Sequence, residues 1–342
     1  MSTPLSGLGK SGLIRHLAAG IKTSQPSTLK GIGDDAAVLG YGNATLVAAT
    51  DTLAEGVHFD LTYTPMQHLG YKAAVVAISD LYAMNAIPRQ LLVSIAVSAK
   101  FSVESLELLY LGLQHACDQY HLDLVGGDTS PSITGFYINV TAIGEVLPEK
   151  ITCRNTAKKG DLICVSGDLG AAYLGLQVLE REKKLFEEDA SMQPQLTGYE
   201  YVVGRQLKPT ARKDISDFFA SAGMVPTAMI DVSAGLASDL MRICTASNVG
   251  CEIHHHKIPV AEETIRTAGE FFTEPLIAAL NGGEDYELLF TVPVAEYEKI
   301  VGRQDLSIIG YITAPEDGCY LMTGHGNRIE IQGERSFDRL SS

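Results

Sequence analysis

The pattern of apolar and polar positions predicts strands and helices that follow one another along the first half of the chain. ATLVAATDTL (44–53) is rich in small and β-branched residues, which is typical of a buried strand. Apolar residues recur at helical spacing over 71–86, and Pro88 follows this segment. The same criteria predict strands over 90–98, 122–130 and 136–146 and an amphipathic helix over 103–120.

A polar segment, residues 147–161, divides the chain, and Pro148 and Gly160 within it are typical of a boundary. The second half again mixes strands with helices: we expect strands over 162–167, 228–233, 251–256 and 306–313 and helices over 210–223 and 236–247. A chain of 342 residues also exceeds one ordinary core. We therefore predict two domains, 1–148 and 149–342, and an α+β (mixed α/β) fold class.

Composition and charge narrow the classes of partner. The net charge of −15 argues against nucleic acid and suits either a protein that gathers divalent cations or simply an acidic surface. Six cysteines without a C-x-x-C pair favour free thiols in a reducing compartment over disulfides or a zinc site. The sequence has no signal-peptide core and no run of about 18 apolar residues. We expect a cytoplasmic protein without a membrane partner.

The glycine turn GIGDDAAVLG (31–40) carries two adjacent acids. Its glycine spacing matches a dinucleotide-binding turn, but Asp34 and Asp35 stand where a pyrophosphate would lie and would repel it. Asp80 presents a similar conflict, because it interrupts an apolar helical segment. A buried carboxylate is costly unless it is paired or bound to a metal ion. Taken alone, Asp80 is equally compatible with a helix kink or an internal cap.

Further acids lie at the edges of apolar elements, flanked by Gly, Ser or Thr: Asp51, Asp128, Asp231, Glu284 and Asp285. Few cations lie near them in sequence, namely Lys72, Arg89 and Arg154. Oxygen ligands without His or Cys suit Mg²⁺ or Mn²⁺ rather than zinc. Because Mg²⁺ held by carboxylates usually also binds phosphate, the sequence predicts metal–nucleotide chemistry. The acids would hold the metal, and the metal would hold the phosphate.

The segments GIGDDAAVL, ATDTLAEGVHF, KAAVVAISDLYAMNA, VGGDTS, IDVSAGLASDL and NGGEDYELLFT occur in this order, and with them the chain resembles the thiamine-monophosphate kinase family. The resemblance implies a two-domain aminoimidazole ribonucleotide synthetase-like (PurM-like) fold and a homodimer whose N-terminal domains form a β-barrel. It also implies a cleft between the domains in which ATP and thiamine monophosphate give ADP and thiamine diphosphate with several Mg²⁺ ions.

The resemblance also implies roles for individual residues, by position in this chain. It places Mg²⁺ on Asp35, Thr50, Asp51, Asp80, Asp128 and Asp231. It places the nucleotide on Tyr110, Gly127, Asp128, Arg154 and Ser233, and thiamine phosphate on His58, Glu284 and Phe337. The implied catalytic residues are Asp51, Asp80, Asp128 and Arg154. Taken alone, His58 is typical of a surface histidine.

Two positions depart from the family pattern. The pattern usually reads D-x-S-D-G where this chain has Ala234 after Asp231-Val232-Ser233, and it often has a hydroxyl residue where this chain has Ala49, next to Thr50 and Asp51. The first departure puts one metal in question. The acceptor phosphate is already anionic near neutral pH, since its second pKa is about 6. We therefore expect direct in-line transfer without a strong general base and without a phosphoenzyme.

Other functions stay open on the sequence alone. Selenophosphate synthetase relatives carry a reactive cysteine near the N-terminus, whereas the first cysteine here is Cys117. Hydrogenase-maturation relatives end in a reactive cysteine, whereas this chain ends FDRLSS. Aminoimidazole ribonucleotide synthetase matches NGGEDYE poorly. A regulator that binds nucleotide or thiamine phosphate without turnover is a further alternative, motivated by Ala234.

Overall fold

Two β-sheets, one in each half of the chain, organise the computed structural model, which describes residues 26–30, 33–42, 44–324 and 326–332. The first sheet has six strands in the spatial order β1-β2-β3-β6-β4-β5. They are β1 (Thr28–Lys30), β2 (Ala37–Tyr41), β3 (Ala44–Ala54), β4 (Ile87–Val97), β5 (Asp123–Pro131) and β6 (Tyr137–Val146). Only β4 and β5 pair in parallel.

Two long helices, α1 (Met66–Ala83) and α2 (Val103–Tyr120), form the second layer of the first half. Helix α1 packs against strands β3, β4 and β6 and against α2. The helices approach closely at two glycines: a Cβ added at Gly70 would lie 1.9 Å from the Leu109 carbonyl oxygen, and one at Gly112 would lie 1.9 Å from that of Gln67. Side chains larger than glycine would therefore push the helices apart.

The second sheet has seven strands in the order β13-β12-β9-β11-β7-β10-β8. They are β7 (Leu162–Ser166), β8 (Ala228–Asp231), β9 (Gly250–His254), β10 (Leu288–Val292), β11 (Leu306–Thr313), β12 (Cys319–Met322) and β13 (Arg328–Glu330). The helices are α3 (Ala171–Glu188), α4 (Glu200–Leu207), α5 (Lys213–Ala222), α6 (Leu236–Ser247), α7 (Glu262–Glu270), α8 (Pro275–Asn281) and α9 (Tyr297–Ile300).

The two halves share a packed boundary rather than a flexible linker. One hydrophobic cluster combines the core of the first sheet with residues of the second half such as Phe219 and Phe290. Helix α1 also contacts β8, and the Lys72 ammonium donates to the Gln206 carbonyl oxygen at 3.0 Å. Side chains from both halves therefore have fixed relative positions at this boundary.

Most predicted elements are confirmed, with small shifts of their ends. The predicted strand 251–256 is wrong at its end, because β9 stops at His254 and a 3₁₀ turn covers His255–Lys257. Helix α4 was not predicted. The first sheet is open in the described residues, so the implied barrel is not formed within this chain. Within the same residues, every helix is too short or too polar to cross a membrane.

Candidate active site

Three acids from three elements meet where the two halves touch. Asp35 lies just before β2, Asp80 lies in the last turn of α1, and Asp231 ends β8. One carboxylate oxygen from each lies within 4.8 Å of the other two. We call these three residues the acid cluster. The buried Oδ2 of Asp35 accepts no hydrogen bond from the part of the chain that the structure describes.

The acid cluster carries more negative charge than its surroundings balance. Burial raises the pKa of Asp35 well above its ordinary value, and the charge of Asp231 adds to this rise although Arg154 opposes it. Burial and the charge of Asp231 likewise raise the pKa of Asp80. The pKa of Asp231 is also raised by burial, even though the Ser79 hydroxyl donates to it at 2.8 Å. An oxygen-ligated divalent cation fits this donor set.

The two adjacent acids of the glycine turn have different surroundings. Asp34 is paired with Lys30 and with Arg154, whose Nε lies 3.3 Å from Asp34 Oδ1. The backbone N–H of Arg154 donates to the same carboxylate at 3.3 Å. Asp35 instead faces the other two acids, and its Oδ1 contacts the end of the Arg154 guanidinium. Asp34 therefore anchors the turn, and Asp35 contributes to the cluster.

Strand β3 brings one of its two predicted residues toward the acid cluster. The charge of Asp51 raises the pKa of Asp80, which places the two carboxylates near each other. Successive side chains of a strand point to opposite faces. Thr50 accordingly lies on the exposed face of the sheet, where its hydroxyl is 3.0 Å from the Thr141 hydroxyl. The structure does not bring the Thr50 side chain to the cluster.

Strand β5 and helix α2 hold predicted nucleotide residues at the surface. Asp128 is exposed and accepts a hydrogen bond from the Ser130 hydroxyl at 3.1 Å. Gly127 permits close strand pairing, because a Cβ there would lie 1.8 Å from the Val93 carbonyl oxygen. Tyr110 is exposed on α2. These residues lie outside the acid cluster, and their predicted roles stay predictions.

A second polar group, around Glu284, is attached through Lys72 to helix α1, the helix that also carries Asp80. The Lys72 ammonium donates to Glu284 Oε2 at 2.7 Å, and the Gln206 side-chain amide donates to the same oxygen at 3.0 Å. Burial alone would raise the pKa of Glu284, but Lys72 and, to a smaller degree, His58 hold it below its ordinary value. Lys72 and Asp80 are about 12 Å apart along the helix at 1.5 Å per residue.

The loop after β8, which carries Ser233, connects the acid cluster with the polar group around Glu284. Ser233 hydrogen-bonds Asp231, and its carbonyl oxygen accepts from the Glu284 backbone N–H at 2.9 Å. Glu284 has a left-handed backbone with φ of 60°, which turns the chain at this contact. His58 accepts a hydrogen bond from the Ala54 backbone N–H through Nδ1 at 3.1 Å. Phe337 lies outside the described residues.

Two polar residues near the site were not singled out from the sequence. Ser79 bonds Asp231, as described above. Asp239 is buried in α6, accepts from the Ala234 backbone N–H at 2.9 Å and pairs with Arg242 Nη1 at 2.9 Å. Burial raises the pKa of Asp239 to about 7. Its position in an apolar helix is the same signal that drew attention to Asp80.

Comparisons with known proteins agree with this architecture. The family model described as AIR synthase related protein, N-terminal domain, matches residues 33–146, and the model of the C-terminal domain matches residues 158–319. Thiamine-monophosphate kinase of Aquifex aeolicus is 33% identical over 97% of this chain and 99% of its own length. The Bacillus subtilis protein of that name is 35% identical over 78% of this chain and 79% of its own length.

Solved structures give the same result. The structure of AaThiL complexed with AMPPCP and TMP has a TM-score of 0.82 and 32% identity, and the match covers 97% of this chain and 98% of that chain. Thiamine-monophosphate kinase from Stenotrophomonas maltophilia has a TM-score of 0.72 and 30% identity, over 94% and 96% of the chains. These matches confirm the two-domain PurM-like fold of mixed α/β content.

Proposed function

This chain belongs to the thiamine-monophosphate kinase family, and we propose that it transfers the γ-phosphoryl group of ATP to thiamine monophosphate, giving ADP and thiamine diphosphate. The observation that carries the proposal is the convergence of Asp35, Asp80 and Asp231 beside Arg154 at the boundary of the two halves. The AaThiL structure was obtained with AMPPCP and TMP, which supports an ATP-like donor and this acceptor.

The acid cluster is the part of this chain that would hold Mg²⁺. Asp35, Asp80 and Asp231 supply hard oxygen ligands, and Asp51 and Asp128 would complete the set as the resemblance implies. Bound Mg²⁺ supplies positive charge that offsets the repulsion between donor and acceptor phosphates. Burial and, after it, the charges of neighbouring carboxylates raise the pKa values of Asp35 and Asp80.

Arg154 is held beside the acid cluster, and Lys72 is held beside Glu284. Asp34 holds the Arg154 guanidinium at the edge of the acid cluster, where it would face the transferring phosphoryl group together with Tyr110, Gly127 and Ser233 as nucleotide contacts. Lys72 keeps Glu284 ionised and oriented. Glu284, His58 and Phe337 would bind the thiamine part, whose cationic ring suits a carboxylate partner.

The reaction needs positioning more than proton transfer. A phosphate oxygen of thiamine monophosphate attacks the γ-phosphorus, and the bond to the β–γ bridging oxygen breaks with its electron pair leaving on ADP. The attacking oxygen is already anionic near neutral pH, because the second pKa of a phosphate monoester is about 6. We therefore propose direct in-line transfer without a covalent phosphoenzyme.

We also propose a homodimer, with residues 1–148 binding Mg²⁺ and ATP and forming the dimer and residues 149–342 completing the cleft. Strand β5 lies at one of the two edges of the first sheet in the described residues and is exposed along nearly its whole length. Val125 on this strand is 56% exposed, which is unusual for an apolar edge residue left in water. Light scattering would give twice the 36.7 kDa chain mass for a dimer and contradict the proposal with a single-chain mass.

The direct test is product formation. The protein is incubated with ATP, Mg²⁺ and thiamine monophosphate, and ADP and thiamine diphosphate are quantified by chromatography. We expect one ADP for each thiamine diphosphate. Because Ala234 replaces a family carboxylate, binding of thiamine monophosphate without ADP release would favour a non-catalytic regulator instead. Absence of both binding and turnover would contradict the proposed substrate.

A further inference from the structure

Three cysteines far apart in sequence converge in the second half of the fold. Cys244 lies on α6, Cys251 on β9 and Cys319 on β12. Cys251 and Cys319 face each other across the parallel pair β9–β12, and α6 places Cys244 against them. The three sulfur atoms all lie within 4.8 Å of one another. We call these residues the thiol cluster.

The thiol cluster differs from ordinary packing of small apolar side chains. Cys244 and Cys251 are buried in a core of aliphatic residues, whereas Cys319 is only partly buried and gives access from solvent. The three elements nevertheless bring the sulfur atoms of Cys244, Cys251 and Cys319 to within 4.8 Å of one another. The three sulfurs therefore point toward a common centre rather than into separate gaps of the core.

We propose that the thiol cluster binds one soft divalent cation of the Zn²⁺ class. With a metal–sulfur distance of about 2.3 Å, three thiolates of a tetrahedral site stand about 3.8 Å apart, so the observed spacing of at most 4.8 Å needs only small side-chain movements. Thiolates select zinc-like ions over Mg²⁺, so this site and the acid cluster take different metals. The partly buried Cys319 side leaves a fourth position for water.

Binding is a ligand exchange without a redox step. Three thiols and one divalent cation give a metal tris-thiolate of net charge −1, and the thiol protons pass to the buffer. A disulfide would use only two of the three sulfurs and would need an oxidant. The absence of C-x-x-C spacing favoured free thiols over a zinc site, but that criterion considers only cysteines that are neighbours in sequence. Here strand pairing and helix packing bring the three cysteines together.

The bound ion would cross-link three elements of the second half of the chain, namely α6, β9 and β12. Cys244 lies near the end of α6, the helix that begins just after the loop carrying Ala234 and Gly235. Metal binding would therefore stabilise α6 against β9 and β12, because a ligand that binds only the folded state raises its stability.

The test uses Co²⁺ as a spectroscopic probe on the full-length, reduced, metal-free protein. Thiolate ligands give an intense sulfur-to-cobalt charge-transfer band, which carboxylate ligands at the acid cluster do not give. We expect this band to saturate at one equivalent, and Zn²⁺ to abolish it by displacement. Zn²⁺ should also protect the partly buried Cys319 thiol from a thiol-specific reagent.

Cys319→Ser is the decisive variant, because Cys319 is the most accessible ligand. Outer-shell changes alone weaken metal sites by about 10–100-fold, so loss of a direct ligand should weaken Co²⁺ binding at least as much. Cys117→Ser, which removes a buried cysteine on α2, is the matched control and should leave the band unchanged. The proposal is overturned if wild-type protein gives no charge-transfer band and no thiol protection, or if Cys319→Ser binds as wild type does.

Discussion

Two groups of buried acids lie close to the domain boundary and differ in how their charge is balanced. In the first, the acid cluster, one carboxylate oxygen of Asp35 accepts no hydrogen bond from described residues. The second group consists of Asp285 and Glu287, which follow Glu284 in the chain. Glu287 accepts a hydrogen bond from Arg205 Nη1 at 2.9 Å and also contacts Arg212. Asp285 in the same group accepts from the Gly170 backbone N–H at 2.7 Å.

The difference separates a structural ionic network from a binding site. Glu287 is matched by two guanidinium groups and by the Ser166 hydroxyl, which donates to it at 2.5 Å. Such a network holds α4 and the start of α5 against the second sheet. Among the described residues, Arg154 pairs directly with the acid cluster and Arg242 acts on Asp231 from farther away, so we propose that a bound cation completes the charge balance of the three carboxylates. The predictions below test this contrast.

The largest effect should come from Asp80→Asn. Removing one carboxylate from the acid cluster weakens cation binding and phosphate positioning, so kcat/KM for thiamine diphosphate formation should fall by about 10²-fold or more, the scale seen when one preorganised electrostatic group is lost. Chromatographic product assays at several Mg²⁺ concentrations would measure the loss. Asp118→Asn, an exposed acid on α2, is the control and should keep wild-type activity.

Glu287→Gln should act on stability instead. It removes the charge of the buried Glu287 and leaves the partly buried Arg205 and Arg212 guanidinium groups without their full counter-charge. Breaking a buried ion pair from one side costs up to about 3–5 kcal/mol of unfolding free energy. Urea unfolding followed by circular dichroism would measure it, with the exposed Glu107→Gln as control. An unchanged unfolding midpoint for Glu287→Gln would remove the structural role given to this network.

The pH dependence of metal-free stability should reveal the unbalanced acids. The folded-state pKa values of Asp35 and Asp80 lie above their unfolded values, so their stabilising contribution is fully present below about pH 4 and is lost as pH rises through the folded-state pKa. In EDTA, wild type should therefore lose more stability than Asp80→Asn as pH rises. The Tm of Asp80→Asn minus the Tm of wild type should increase with pH. Millimolar Mg²⁺ should shrink this difference, and a difference independent of pH would contradict the account.

Ala234→Asp should give the smallest effect. The substitution restores the family carboxylate beside Asp231 and keeps the backbone N–H that donates to Asp239. We expect the Mg²⁺ concentration for half-maximal activity to fall a few-fold, because one more carboxylate joins a site that already has three. Activity measured against Mg²⁺ concentration would test this, with Ala234→Ser as control. A large rescue from an inactive wild type would instead make Ala234 a disabling substitution.

The sequence predicted much of the fold because periodicity is local. The helices over 103–120 and 236–247 appear with the predicted ends. Helix α4 (Glu200–Leu207) was missed because it has only eight residues and contains Gly204, so its helical period is short and interrupted.

A site residue could be predicted from the sequence where a charged side chain stands among apolar neighbours. Asp80 stood out because a carboxylate in an apolar helix needs a partner, and the structure places it in the acid cluster. The different roles of Asp34 and Asp35 could not be predicted from the sequence, because they depend on the ion pairs that Asp34 makes with Lys30 and Arg154 in the folded chain. The thiol cluster was missed for the same reason, since its ligands meet only through strand pairing and helix packing.

The central claim is that the acid cluster is incomplete without a divalent cation, and calorimetric titration of metal-free protein with Mg²⁺ tests it most directly. Because burial raises the pKa values of Asp35 and Asp80, these carboxylates keep protons to higher pH than ordinary ones, and the cation must displace those protons. In titrations repeated at several pH values, the binding heat should therefore vary with the ionisation enthalpy of the buffer in the sense of proton release, and this effect should decrease as pH rises through the folded-state pKa values. Asp80→Asn should bind more weakly and release fewer protons. Absence of Mg²⁺ binding to wild type, or identical binding and proton release by Asp80→Asn, would contradict the claim.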